Sequence, residues 1–187
     1  MATAAMNFQN RDKLPIKLFF QDEARFGRIN KTSKCWTPPN QRAVIGQQII
    51  REYTYAFSAV CPETGENFSL ILPSVNTDSM NIFLRHFSEY FQKYKVIMLM
   101  DKAGWHRSKN LVAMENIVFM FLPPYSPELN PAEHLWDYIR EKKKFNNNVF
   151  NSLNEVENNL SKALFDMSND IDTIKSLCNF KWLNYTY

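Results

Sequence analysis

The chain has 187 residues, 45% hydrophobic and 14% aromatic, with a formal charge of +3. That is the profile of one packed globular domain. Its apolar runs fall far short of the ~20 residues a membrane helix needs, and Met1–Lys13 lacks the apolar block of a secretory signal. Cys35, Cys61 and Cys178 are odd in number, widely spaced and without a CxxC pair, which argues against a disulfide framework or structural zinc and for a soluble protein in a reducing, intracellular compartment.

In chain order, residues 1–14 read as a loose polar leader and residues 15–187 as one domain. The apolar run Lys17-Leu18-Phe19-Phe20 predicts a strand over 15–22. Residues 23–42 read as a basic connection with a turn at Thr37-Pro38-Pro39-Asn40. β-formers return at Val44-Ile45, Ile49-Ile50 and Tyr53–Val60. Cys61–Glu66 reads as a turn and Asn67–Leu72 as another strand, so three successive strands with tight connections predict an antiparallel meander. The period then changes: Met80, Phe83, Leu84, Phe87, Phe91 and Tyr94 recur at helical spacing after a cap at Asn76 or Thr77. Residues 96–100 are continuously apolar, as in a strand covered on both faces. A short helix is expected over 107–116, a buried strand over Ile117–Leu122, a helix from near Asn130 to about Lys144, and a helical tail carrying Leu153, Val156, Leu160 and Leu164. A meander followed by alternating helix and strand predicts a mixed α/β sheet flanked by helices.

Three acids stand out against this frame. Asp22 ends the first strand-like run, Asp101 ends the fourth, and Glu133 falls in the first turn of a helix after a Pro-rich approach. Acids converging from rigid elements suit Mg²⁺, a hard cation that prefers oxygen ligands. Two such ions can serve the attacking and leaving oxygens of a phosphoryl transfer. Asp22 and Asp101 can converge if their strands are neighbours. Glu133 also fits a capping box, with Asn130 as N-cap and Pro131 at the first helical position, and Asp137 one turn later is a substitute ligand. Basic residues follow each acid: Arg25, Arg28, Lys31 and Lys34; Lys102, Arg107 and Lys109; Arg140, Lys142, Lys143 and Lys144. Such patches suit a polyanion. The candidate DNA contacts are Arg25, Arg28, Lys102, His106, Arg107, Lys109, Lys142 and Lys143, with His106 open either to phosphate contact or to orienting a ligand.

Three motifs carry a resemblance: Gln21-Asp22-Glu23-Ala24-Arg25-Phe26-Gly27, Met100-Asp101-Lys102-Ala103-Gly104-Trp105-His106, and Leu122-Pro123-Pro124-Tyr125-Ser126-Pro127-Glu128-Leu129-Asn130-Pro131-Ala132-Glu133. Together with Trp36-Thr37-Pro38 and Gln41-Arg42, they resemble the DDE transposases of the IS630/Tc1/mariner superfamily over roughly residues 16–183. The resemblance implies an RNase H-like fold with a mixed five-stranded sheet. It implies two Mg²⁺ ions (Mn²⁺ as substitute) held by Asp22, Asp101 and Glu133, with Asp22 bridging. It implies cleavage of double-stranded DNA at transposon ends and 3′-hydroxyl strand transfer into target DNA, usually at TA, by a homodimer acting in the cytoplasm on nucleoid DNA. Close carboxylates should repel without cation, raising their pKa values. Two departures accompany the match: Lys102 stands where the family commonly has Asn, and the family's N-terminal helix-turn-helix domain has no counterpart, so the chain reads as a catalytic domain alone. The competing readings are a non-catalytic DNA-binding or assembly module derived from a transposase, and an RNase H-like nuclease acting on hybrids or junctions.

Overall fold

The structure, a computed structural model, describes residues 13–142 and 145–184. Five strands form one mixed sheet in the order β3-β2-β1-β4-β5. They are β1 Ile16–Ile29, β2 Ile49–Val60, β3 Asn67–Leu72, β4 Lys95–Met100 and β5 Ile117–Phe121. β1, β2 and β3 pair antiparallel, while β4 lies parallel to both β1 and β5. The meander is therefore present, and the first and fourth strands are neighbours.

Period-two alternation along β1 sends its side chains to two separate cores. Phe20, Ala24 and Phe26 join one core with α2 (Ala132–Lys142), α3 (Leu153–Ser168) and α4 (Ile171–Cys178). Phe19 joins the other, with Met80, Phe83, Leu84 and Phe87 of α1 (Thr77–Tyr90). There Phe19 meets the Phe87 ring edge-on, centroids 5.0 Å apart. α1 begins where expected: the Asn76 side chain accepts the Ser79 N–H at 2.8 Å, a cap worth about 1 kcal/mol. The β2–β3 turn closes through Gly65 N–H to the Cys61 carbonyl at 2.8 Å. Gly65 sits at φ +75, where a Cβ would also meet Ile171 of α4. Cys61 and Cys178 are buried and Cys35 is exposed.

Three expectations need correction. β1 does not end at 22: Ala24 and Phe26 alternate inward with Arg25 outward, and pairing with β2 carries the strand to Ile29. The β1–β2 connection is not tight, because Val44-Ile45 lies in the long segment 30–48, with Val44 exposed. No helix forms over 107–116. A 3₁₀ turn at Gly104–Arg107 precedes an irregular stretch. The backbone of that stretch bonds to Asn81 of α1, whose Nδ2 donates to the Asn110 carbonyl at 3.0 Å and whose Oδ1 accepts the Val112 N–H at 2.8 Å. Those groups are satisfied across elements, so a helical ladder is not needed there.

Candidate active site

β1 and β4 pair from Ile16 with Lys95 up to Phe20 with Leu99. Asp22 and Asp101 both lie just past that shared segment: Asp101 directly follows the carboxyl end of β4, and Asp22 lies beside it within β1, which runs on to Ile29. Glu133 arrives from the first turn of α2. All three acids line one open cavity with Lys102, Ala103, Asn130 and the Leu122–Pro127 approach. Asn130, 4% exposed, fixes the helix start against β1: its Nδ2 donates to the Gln21 carbonyl at 3.2 Å and its Oδ1 accepts the Ala132 N–H at 3.2 Å. Earlier in the approach, Tyr125 is fully exposed, in a left-handed backbone conformation at φ 58.

Each acid has its own environment. Asp22 Oδ2 accepts the indole N–H of the buried Trp136 at 2.8 Å. Burial and the nearby Glu133 charge nevertheless push Asp22 up to about 8. Burial also raises Glu133, with the Arg140 charge opposing and Asp137 and Asp101 adding to it. No hydrogen bond stabilises the Glu133 carboxylate, so the capping-box alternative is not realised among the described residues. Asp101 goes the other way. Its Oδ1 accepts from His106 Nδ1 at 2.8 Å and from the Ala103 N–H at 2.8 Å, and these bonds hold it below its usual range. The direction expected from mutual repulsion is thus found for Asp22 and Glu133, where burial is the larger cause, and is reversed for Asp101.

Among the described residues, no three His, Cys, Asp or Glu side chains are gathered tightly enough to enclose an ion. The donor set still suits a hard divalent cation in kind: three carboxylates line one cavity, two of them destabilised as anions without a countercharge.

The candidate DNA contacts are scattered by the fold. Lys102 lines the acid cavity. Arg25 stacks over the Tyr53 ring at 4.5 Å and lines a second cleft with Lys31 and Arg140. Arg28 is engaged within the protein, donating to the Phe150 carbonyl at 3.0 Å and to Glu52 at 2.9 Å. Lys109 and Lys142 are exposed. Lys143 lies outside the described residues, and Arg107 is placed by its backbone alone. His106 is 2% exposed, with both ring nitrogens engaged by Asp101 and Glu23. Asp137 pairs with Arg140 at 3.9 Å and does not line the cavity.

Sequence reasoning missed Glu23, Trp105 and the polar role of Trp136. Glu23 Oε1 accepts from His106 Nε2 at 2.9 Å and from Trp105 Nε1 at 3.3 Å. The available signal was alternation, which turns Glu23 to the face opposite Asp22.

Residues 17–157 match the family model of the DDE superfamily endonucleases, and the chain belongs to that family. An uncharacterised protein of Sinorhizobium fredii (strain NBRC 101917 / NGR234), y4pE/y4sA, is 35% identical over 108 residues, covering 56% of this chain and 77% of that protein. The fold is RNase H-like and similar to that of the Mos1 mariner transposase. The Mos1 mariner paired end complex with Mn superposes with a TM-score of 0.63 at 17% identity, covering 95% of this chain and 59% of that one. The catalytic domain of Mos1 mariner transposase gives 0.55 at 14% identity, covering 95% and 85%. The chain therefore spans about three fifths of the transposase in the paired end complex.

Proposed function

We propose that this chain is the catalytic domain of a DNA transposase, cutting double-stranded DNA at transposon ends and joining the freed 3′-hydroxyl to target DNA at TA, as a homodimer. One observation carries the reading: in a DDE-family chain, Asp22 within β1, Asp101 just past β4 and Glu133 at a helix start reach a single cavity. The Mos1 structures solved with Mn and with Mg support a divalent cation, and those with paired ends and a left transposon end support a DNA partner.

Asp22, Asp101 and Glu133 would hold two Mg²⁺ ions, or Mn²⁺ in their place. The ions would supply countercharge to the phosphate and to the oxygens that attack and leave it. The protein does the rest by placement. Trp136 keeps Asp22 aimed from the α2 face. His106 and the Ala103 N–H hold one Asp101 oxygen, leaving Oδ2 without a partner among the described residues. Lys102 at the rim supplies positive charge to the DNA backbone. The test is strand nicking of a transposon-end duplex with Mg²⁺ or Mn²⁺. Asp101→Ala should abolish it with the fold intact, and persistent nicking by that purified variant would remove the assignment.

A further inference from the structure

β1 delivers two neighbouring acids to opposite faces of the sheet. Asp22 lines the cavity, whereas Glu23 turns toward the α1 side and is absent from the cavity lining. The Glu23 side chain is 7% exposed and the His106 side chain 1%, so a carboxylate and an imidazolium, with an N–H on each ring nitrogen, are packed together away from water. Burying such a pair is costly unless its geometry is well satisfied. Here it is. His106 Nε2 donates to Glu23 Oε1 at 2.9 Å, Trp105 Nε1 donates to the same oxygen at 3.3 Å, and His106 Nδ1 donates to Asp101 Oδ1 at 2.8 Å. Asp101 alone of the three is open to solvent, with its side chain 59% exposed.

We infer that Glu23 is a positioning residue: acting through His106, it fixes the Asp101 carboxylate for the cation from behind the sheet. This rests on the proposed reading of the acid cavity. An exposed aspartate beyond a strand end has free rotation about two torsions. The 3₁₀ turn that carries Trp105 and His106 folds back onto Asp101, and Glu23 anchors that turn to the central strand of the sheet. The order of action is therefore Glu23, then His106, then Asp101. Partners of this kind, one shell behind the ligands, typically change metal affinity about 10–100-fold.

The readout is Mn²⁺ affinity, measured by titration calorimetry on the folded protein with circular dichroism as the control. Asp101→Ala should abolish binding. Glu23→Ala and His106→Ala should each weaken it by about 10–100-fold, and Glu23→Gln, which keeps an acceptor oxygen, should recover most of the loss. The double variant Glu23→Ala/His106→Ala should bind no worse than His106→Ala alone, since the two residues act in series. Glu23→Leu fills the same space without an acceptor and replaces Glu23→Ala in the cycle if alanine does not fold. Wild-type affinity in both Glu23→Ala and Glu23→Leu, or losses that add in the double variant, would overturn the positioning role alone. A wild-type protein that binds no Mn²⁺ would overturn that role and the cavity reading together.

Discussion

Trp136 donates its indole N–H to a carboxylate that burial and a neighbouring acid both drive toward protonation. Replacing it by Phe keeps the ring packing but leaves Asp22 Oδ2 without that donor, at a cost of about 1–3 kcal/mol. Trp136→Phe should lower the melting temperature and raise the Mn²⁺ concentration needed to recover it, both read by differential scanning fluorimetry. The sign of the pH effect follows from the shift itself. Asp22 moves from 3.8 to about 8, so between those values the folded protein keeps a proton that the unfolded chain releases. Metal-free stability should therefore fall as pH rises through that window. A cation reverses this by favouring the anion, so Mn²⁺ stabilisation should grow with pH toward 8 and above. Asp22→Asn should flatten the pH dependence, remove the Mn²⁺ response, and leave the metal-free protein more stable than wild type at high pH. Denaturant unfolding at pH 5 and pH 9, with and without Mn²⁺, decides it.

Elements meet most tightly where β1 crosses β2. A Cβ on Gly27 would lie 2.3 Å from the Glu52 carbonyl oxygen and 2.5 Å from the Tyr53 ring. The register of the pair shifts immediately beyond it, between Gly27 and Ile29. Gly27→Ala should destabilise the protein by about 1–3 kcal/mol, the usual cost of overpacking, measurable as a lower urea midpoint at unchanged slope. Farther back on β1, Lys17 pairs with Glu66 at the start of β3 and lies over the Tyr94 ring at 3.9 Å. Glu66 is held below its usual 4.5 by its bonds to Lys17 and Thr64, which outweigh the effect of burial. The pair's contribution is thus present above that pH and is lost as pH falls through the lowered value. Glu66→Gln should cost about 1 kcal/mol at neutral pH, given its partial exposure, and less under acid. At this scale the sequence was readable where period and punctuation agreed. The Asn76 cap, the apolar β4 and the Pro131 entry to α2 all form within a residue or two of where they were expected. It misled where polarity hid alternation, as at Arg25-Phe26-Gly27, and where a segment bonds to another element, as 108–116 does to Asn81.

Over the whole molecule, one sheet separates two apolar cores, and the acids gather where β4 ends beside the middle of β1. That convergence was legible because strand, acid and helix start recur in a fixed order along the chain. The support behind Asp101 was not, since Glu23 and His106 are far apart in sequence and nothing in their spacing announces a contact across the sheet. The basic cleft of Arg25, Lys31 and Arg140 beside β1 bears on how the protein would hold DNA. Affinity for a duplex should fall steeply with salt, and Arg25→Ala or Lys31→Ala should each reduce the slope of log K against log[salt] by about 1. Lys17→Met, whose ammonium is already paired with Glu66, should leave that slope unchanged. Fluorescence anisotropy on an end duplex across a salt series checks all three.

The cysteines offer a handle that needs no engineering. Burial pushes the Cys178 thiol up to about 12, and its Sγ donates to the Pro131 carbonyl at 3.4 Å, while Cys61 is fully enclosed. Cys35 alone is exposed, on the long 30–48 segment between β1 and β2. A maleimide dye or spin label added to the native protein should therefore attach at a single point. Because that point sits on the segment following the first acid, the label would report whether the segment moves when DNA or a second subunit arrives.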